Sequence, residues 1–138
     1  MKKKYPLIII VVSSIAILSF LFSENSTFHK PPQQQTTIVV SRDSVNLDTF
    51  RYNESKKAIF EIKNTGRFPL IIKKIETSCG CTGVKWNKAP LLPDQTEKIQ
   101  ITFTPNSLGH FSKTIRIFCN ISSQTYTLRL SGFVKEEE

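Results

Sequence analysis

In the segment KAIFEIK, apolar and polar residues trade places at every step. Ala58, Phe60 and Ile62 fall on one side, and Ile59, Glu61 and Lys63 on the other. A period of two marks a strand that buries one face. The pattern returns in EKIQITFTP, where Ile99, Ile101 and Phe103 oppose Lys98, Gln100 and Thr102. In FSKTIRIFCN it gathers Ile115, Ile117 and Cys119, and in QTYTLRLSGFV it turns Tyr126, Leu128 and Leu130 inward, with Thr127 and Arg129 outward. PLIIKKIETS reads as a further strand, and GVKW as a short one ahead of the proline-rich loop NKAPLLPDQ. TIVVS and SVNLDTF make a weak first pair, while Asn64-Thr65-Gly66 and NSLGH read as turns. No segment in this region carries a helical period. About seven short strands, with turn signals roughly every ten residues, predict an all-β fold: an immunoglobulin-like antiparallel sandwich over residues 37–138.

The first residues, MKKKYPLIIIVVSSIAILSFLF, follow no such period. Three lysines precede a run from Tyr5 to Phe22 without a charge. As a helix this run is roughly 27 Å long at about 1.5 Å per residue, close to the hydrocarbon thickness of a bilayer. Tyr5, Leu7, Ile8, Ile9, Ile10, Ile15, Ile17, Leu18, Phe20, Leu21 and Phe22 supply the apolar surface, so residues 1–22 read as a membrane anchor or signal segment. Leu21-Phe22-Ser23 fits a cleavage site poorly, which favours an anchor that stays on; a signal removed to leave a periplasmic protein is the alternative. Either way the lysines hold the cytoplasmic side, so the chain beyond is exported and, if the anchor is kept, crosses the inner membrane once. Residues 23–36, with Pro31-Pro32 and a glutamine run, read as a disordered linker.

Charge adds little to this picture. The net charge is +8, and removing the three leading lysines leaves +5, scattered over Arg42, Arg51, Lys63, Lys85, Arg116 and Arg129 among others. No alternation of basic and aromatic residues suggests nucleic acid as a partner. With only two histidines, one of them (His29) in the linker, no base–nucleophile pair can be argued, and the chain reads as a non-enzyme.

Cysteine chemistry changes the picture more. The chain has three cysteines, and two of them, Cys79 and Cys81, flank Gly80. In an extended strand their Cβ atoms would stand roughly 6.5 Å apart, beyond the reach of a disulfide, unless Gly80 bends the chain by taking positive φ. Three roles are open for the pair. It is a structural bend with one thiol facing the core near Trp86; or a strained redox couple; or half of a Cu or Zn site completed by His110. Sandwich topology sets PLIIKKIETS antiparallel to FSKTIRIFC. That places His110 near the pair and Cys119 roughly 25 Å away at about 3.3 Å per residue, too far to bridge.

The ordered elements FEIKNTG, PLIIKKIETSCGCT, Trp86, ITFTP, GHFSKTIRI and LSG resemble the DUF1573 domain over residues 58–134. This is a bacterial family common in Bacteroidetes. The resemblance implies an exported immunoglobulin-like sandwich akin to the ASPM–SPD-2–Hydin and major sperm protein modules, without an established activity. Two positions depart from the family: Pro93-Asp94 stands for its usual Pro-Gly turn, and Cys119 for a small polar residue. Two functions follow. The first is a membrane-tethered module that binds another envelope protein or serves envelope assembly. The second is a periplasmic copper- or thiol-handling protein working through Cys79 and Cys81.

Overall fold

Ala58, Phe60 and Ile62 are buried to 5, 0 and 0% exposure, and Ile59, on the other face of the same strand, keeps 50%. The structure, a computed structural model, describes residues 34–136. The apolar segment 1–22, His29 and most of the linker lie outside the described residues. Eight strands follow in order: β1 Ile38–Val40, β2 Ser44–Arg51, β3 Lys56–Asn64, β4 Ile72–Thr77, β5 Thr82–Lys85, β6 Thr96–Phe103, β7 Gly109–Cys119 and β8 Thr125–Lys135. They form two four-stranded sheets, β1-β3-β6-β5 and β2-β8-β7-β4. Among the described residues no helix is long and apolar enough to cross a membrane.

Between the sheets lie the residues that the alternation turned inward. Phe60, Ile62, Ile99, Ile101, Ile115, Ile117, Leu128 and Leu130 are wholly buried. Near one end Phe103 stacks on Phe111 with ring centres 4.1 Å apart, and Phe50 meets both rings edge-on. Gly132 is required there, because a Cβ would stand 2.9 Å from the Phe111 ring and 3.0 Å from the Asp48 carbonyl.

Three expectations need correction. TIVVS and SVNLDTF do not pair with each other. β1 runs antiparallel to β3, while β2 runs parallel to β8 in the other sheet, so the sandwich is not wholly antiparallel. The chain changes sheet within three residues: the Ser41 N–H donates to the Glu61 carbonyl, and the Asp43 carbonyl accepts from Arg129 N–H. Alternation reveals which face is buried, not which sheet a strand joins. Second, the linker ends before residue 36. Thr36 is 5% exposed and bridges Ile121, and its N–H donates to the Asn120 carbonyl. Third, Asn64 is not a turn residue but the fully buried last residue of β3.

Two buried asparagines hold this end of the sandwich together. Asn64 Nδ2 donates to the carbonyls of Phe68 and Leu91, and its Oδ1 accepts from Thr36 Oγ1 and Gly66 N–H. Asn120 Nδ2 donates to the carbonyls of Gln34 and Pro69, and its Oδ1 accepts from Ile71 N–H. Loops and the N-terminal arm thereby satisfy backbone groups that no ladder reaches. Gly66 lies so close to the arm that a Cβ would stand 2.6 Å from the Thr37 nitrogen. Asp94, in the Pro93-Asp94 turn, takes φ 64°, the left-handed region that aspartate tolerates better than most residues.

Pairing of β4 with β7 is antiparallel, as expected, with Ile72 opposite Cys119 and Thr77 opposite Ile115. Cys119 is a free thiol at 2% exposure, and burial pushes its pKa up, against a smaller lowering by the Ile121 backbone and Lys73. A thiol whose pKa is raised in the folded state stays neutral there while the unfolded chain ionises. Its contribution is therefore whole below the unfolded thiol value of about 8.5 and is lost as pH rises towards the folded one. Unfolding free energy, measured by denaturant titration, should fall from about pH 8.5 upward, and Cys119→Ala should flatten that decline.

Candidate functional site

At Thr77 the chain leaves β4 on the edge of one sheet, and at Thr82 it starts β5 on the edge of the other. Residues 78–81 make the crossing, and Cys79, Gly80 and Cys81 are its tip. Hydrogen bonds fix both ends. Ser78 N–H donates to the Thr114 carbonyl, and Ser78 Oγ accepts from Thr114 N–H. On the far side the Cys81 carbonyl accepts from Thr104 N–H, and Thr82 pairs with Phe103. Thr77 Oγ1 closes the near side by donating to the Cys79 carbonyl at 2.8 Å.

The two sulfurs are bonded to each other, with Cα atoms 5.3 Å apart, inside the usual disulfide range. Gly80 does not bend the chain by positive φ as expected; among the described glycines only Gly109 takes that region. Gly80 is exposed, and a Cβ there would meet no atom within 4 Å. Cys79 and Cys81 are half-buried, and Cys81 also packs against the hydrophobic core. Beneath them lies Thr82, 7% exposed, whose hydroxyl is 3.4 Å from Cys79 Sγ and 4.0 Å from Cys81 Sγ. So small a loop gives little closure entropy, about 1.6 kcal/mol against about 3 for fifteen residues. The hydrogen bonds at both ends already hold the crossing.

His110 sits elsewhere on β7, opposite Phe133, and its ring meets that phenyl ring edge-on at 4.7 Å. It lines a shallow groove of about 310 Å³ with Asn46, Asp48 and Thr49. Among the described residues no group of three or more His, Cys, Asp or Glu side chains is placed to hold a metal, so Cys79, Cys81 and His110 are not brought together as a ligand set. Trp86 is half-buried and packs on the core, with its Nε1 buried and without a partner. The anchor residues between Tyr5 and Phe22 lie outside the described residues.

Sequence reasoning gave Thr82 no role, although it follows the second cysteine directly in SCGCT. Spacing cannot tell a threonine on the open face of a strand from one turned under the sulfurs.

The flank that carries the crossing is one of the two where both sheets end, the other being that of β1 and β2. β7 borders β4 on one side and β6 borders β5, and among the described residues no strand covers the other side of either. Because Ser78 N–H points to β7, the antiparallel alternation turns the N–H and C=O groups of Thr77 and Ile75 to the open side. Glu76 lies beside them, its carboxyl held below the usual range by a hydrogen bond from Lys74, helped by the Lys74 and Arg116 charges.

The model of the family described as "Protein of unknown function (DUF1573)" matches residues 38–134, a span that also takes in β1 and β2. No curated protein matches the sequence. Among solved structures the chain is similar to the ASH/PapD-like domain 7 of human CEP192, with a TM-score of 0.64 at 17% identity, covering 78% of this chain and 91% of that one. It is similar to a protein of unknown function from Porphyromonas gingivalis W83, with a TM-score of 0.67 at 17% identity, covering 78% of this chain but 51% of that one. A family 123 glycoside hydrolase from Clostridium perfringens gives 0.61 at 8% identity, with 75% of this chain and 28% of the hydrolase covered. Likeness at such identities is likeness of fold.

Proposed function

Because this chain belongs to the DUF1573 family, for which no activity is described, we propose its role from its own surfaces: an exported, membrane-tethered sandwich that binds another envelope protein and performs no catalysis. The observation that carries this reading is the flank where both sheets end in an open strand, β4 and β5. An open edge is a row of unpaired backbone donors and acceptors, and an extended segment of a partner can add to it as a further strand. Ile71, 41% exposed beside β4, offers such a strand an apolar contact. On this reading the N-terminal segment MKKKYPLIIIVVSSIAILSFLF holds the chain in the inner membrane, with the sandwich in the periplasm. A disulfide at Cys79–Cys81 suits that oxidising compartment.

A photo-crosslinking residue placed at Ile71 or Lys85 in the full chain, in its host membranes, tests the reading. The same discrete adduct is expected from both edges and not from Lys98, on the outer face of β6. Equal labelling from all three positions, or none from the edges, overturns it. Intact mass of the membrane-bound chain tests the tether, since a mature chain beginning near Glu24 would remove it.

A further inference from the structure

We propose that the Cys79–Cys81 bond is a thiol–disulfide exchange site, which takes two electrons from a cysteine pair on another exported protein. Four observations meet at this bond. It does not hold the crossing, since Ser78, Cys81 and the Cys79 carbonyl are fixed by hydrogen bonds on either side. Its tip is open, since nothing stands within 4 Å of a Cβ built on Gly80. Its two sulfurs differ: Cys81 packs against the core, and Cys79 is not part of that packing. A buried hydroxyl, Thr82 Oγ1, sits 3.4 Å from Cys79 Sγ.

These differences order the steps. A thiolate of the partner attacks Cys79 Sγ from the open side. The Cys79–Cys81 bond breaks, Cys81 leaves as a thiolate and takes up a proton, and a mixed disulfide joins Cys79 to the partner. The partner's second thiolate then attacks its own sulfur in that mixed bond and expels Cys79 as a thiolate. Thr82 donates a hydrogen bond to this leaving sulfur and stabilises its charge, and Cys79 then takes up the second proton given up by the partner. The net reaction converts one disulfide here and two thiols on the partner into two thiols here and one disulfide on the partner. Two electrons and two protons pass, and no other oxidant enters. Cys79 and Cys81 carry the exchange, and Thr82 stabilises the leaving Cys79 thiolate. Cys119, a buried free thiol opposite Ile72 at the last residue of β7, takes no part.

The full chain, titrated in buffers running from oxidised to reduced glutathione, should pass from wholly disulfide to wholly dithiol at Cys79 and Cys81. Alkylation followed by mass measurement reads this, and circular dichroism should not change. A bond that stays oxidised in excess reduced glutathione while the fold is intact overturns the proposal. With oxidised glutathione as the probe, Cys81→Ser should accumulate a mixed disulfide at Cys79 at least about tenfold faster than Cys79→Ser does at Cys81, and equal rates overturn the order of attack. Thr82→Val should raise the pH at which Cys79 becomes reactive to alkylation by about one unit, a tenfold loss of thiolate, with Thr82→Ser restoring it. A merely structural threonine would lower the melting temperature and leave that pH profile where it was, which would overturn the role given to its hydroxyl.

Discussion

Replacing Asn64 with alanine should cost the domain about 3–4 kcal/mol, at about 1 kcal/mol for each hydrogen bond lost with its partner still present. Its carboxamide makes four bonds from a site of 0% exposure: two donated to the Phe68 and Leu91 carbonyls, two accepted from Thr36 Oγ1 and Gly66 N–H. Alanine removes all four; the Leu91 carbonyl still accepts from Leu70 N–H, and the other three groups lose the bond Asn64 gives them. Asn64→Asp should be at least as damaging. It keeps the acceptors, but a carboxylate cannot donate to two carbonyls, and it brings a charge into a buried site. Thr36→Val removes one of the four and should cost about 1 kcal/mol. Guanidinium titration of the three variants checks the order. A loss below about 1 kcal/mol for Asn64→Ala would show that the arm and loops hold without this residue.

Phe103→Ala should cost about 3–5 kcal/mol by emptying a filled core position. Loss of the aromatic contacts with Phe111 and Phe50 adds about 0.5–1.5 kcal/mol. For a domain of this size the melting temperature should fall by at least about 12 °C, at about 4 °C per kcal/mol. The effect should also reach the crossing. Phe103 ends β6 opposite Thr82, and the next residue, Thr104, donates its N–H to the Cys81 carbonyl. Loosening that end should speed reduction of the Cys79–Cys81 bond by glutathione, whereas Phe103→Leu should lose less stability and leave the rate nearly unchanged. Unchanged melting in Phe103→Ala would mean that the surrounding rings close over the gap.

Much of the frame is written in local alternation. Ile99, Ile101 and Phe103, and likewise Ile115, Ile117 and Cys119, are buried as their spacing demands, because successive side chains of a strand point to opposite faces. The pairing of β4 with β7 also follows from sandwich topology, and with it the separation of Cys119 from the two other cysteines. Asn64 and Asn120 were not legible in the same way. An asparagine before Thr-Gly has the composition of a turn, and nothing nearby in the sequence announces carbonyls brought from residues 68, 91, 34 and 69.

By itself, then, the sequence determined the class of fold, the buried face of most strands and the placing of a cysteine pair just after β4. Each of these rests on contacts set by a period of two or by near neighbours. Tertiary structure alone decided which sheet each early strand joins, that Thr36 belongs to the domain, and that Cys79 and Cys81 close on each other above the Thr82 hydroxyl. It also decided that His110 meets Phe133 edge-on and lines a polar groove. Those outcomes depend on segments far apart in the chain meeting across two sheets, and a strand's own pattern carries no record of what its far partner will be.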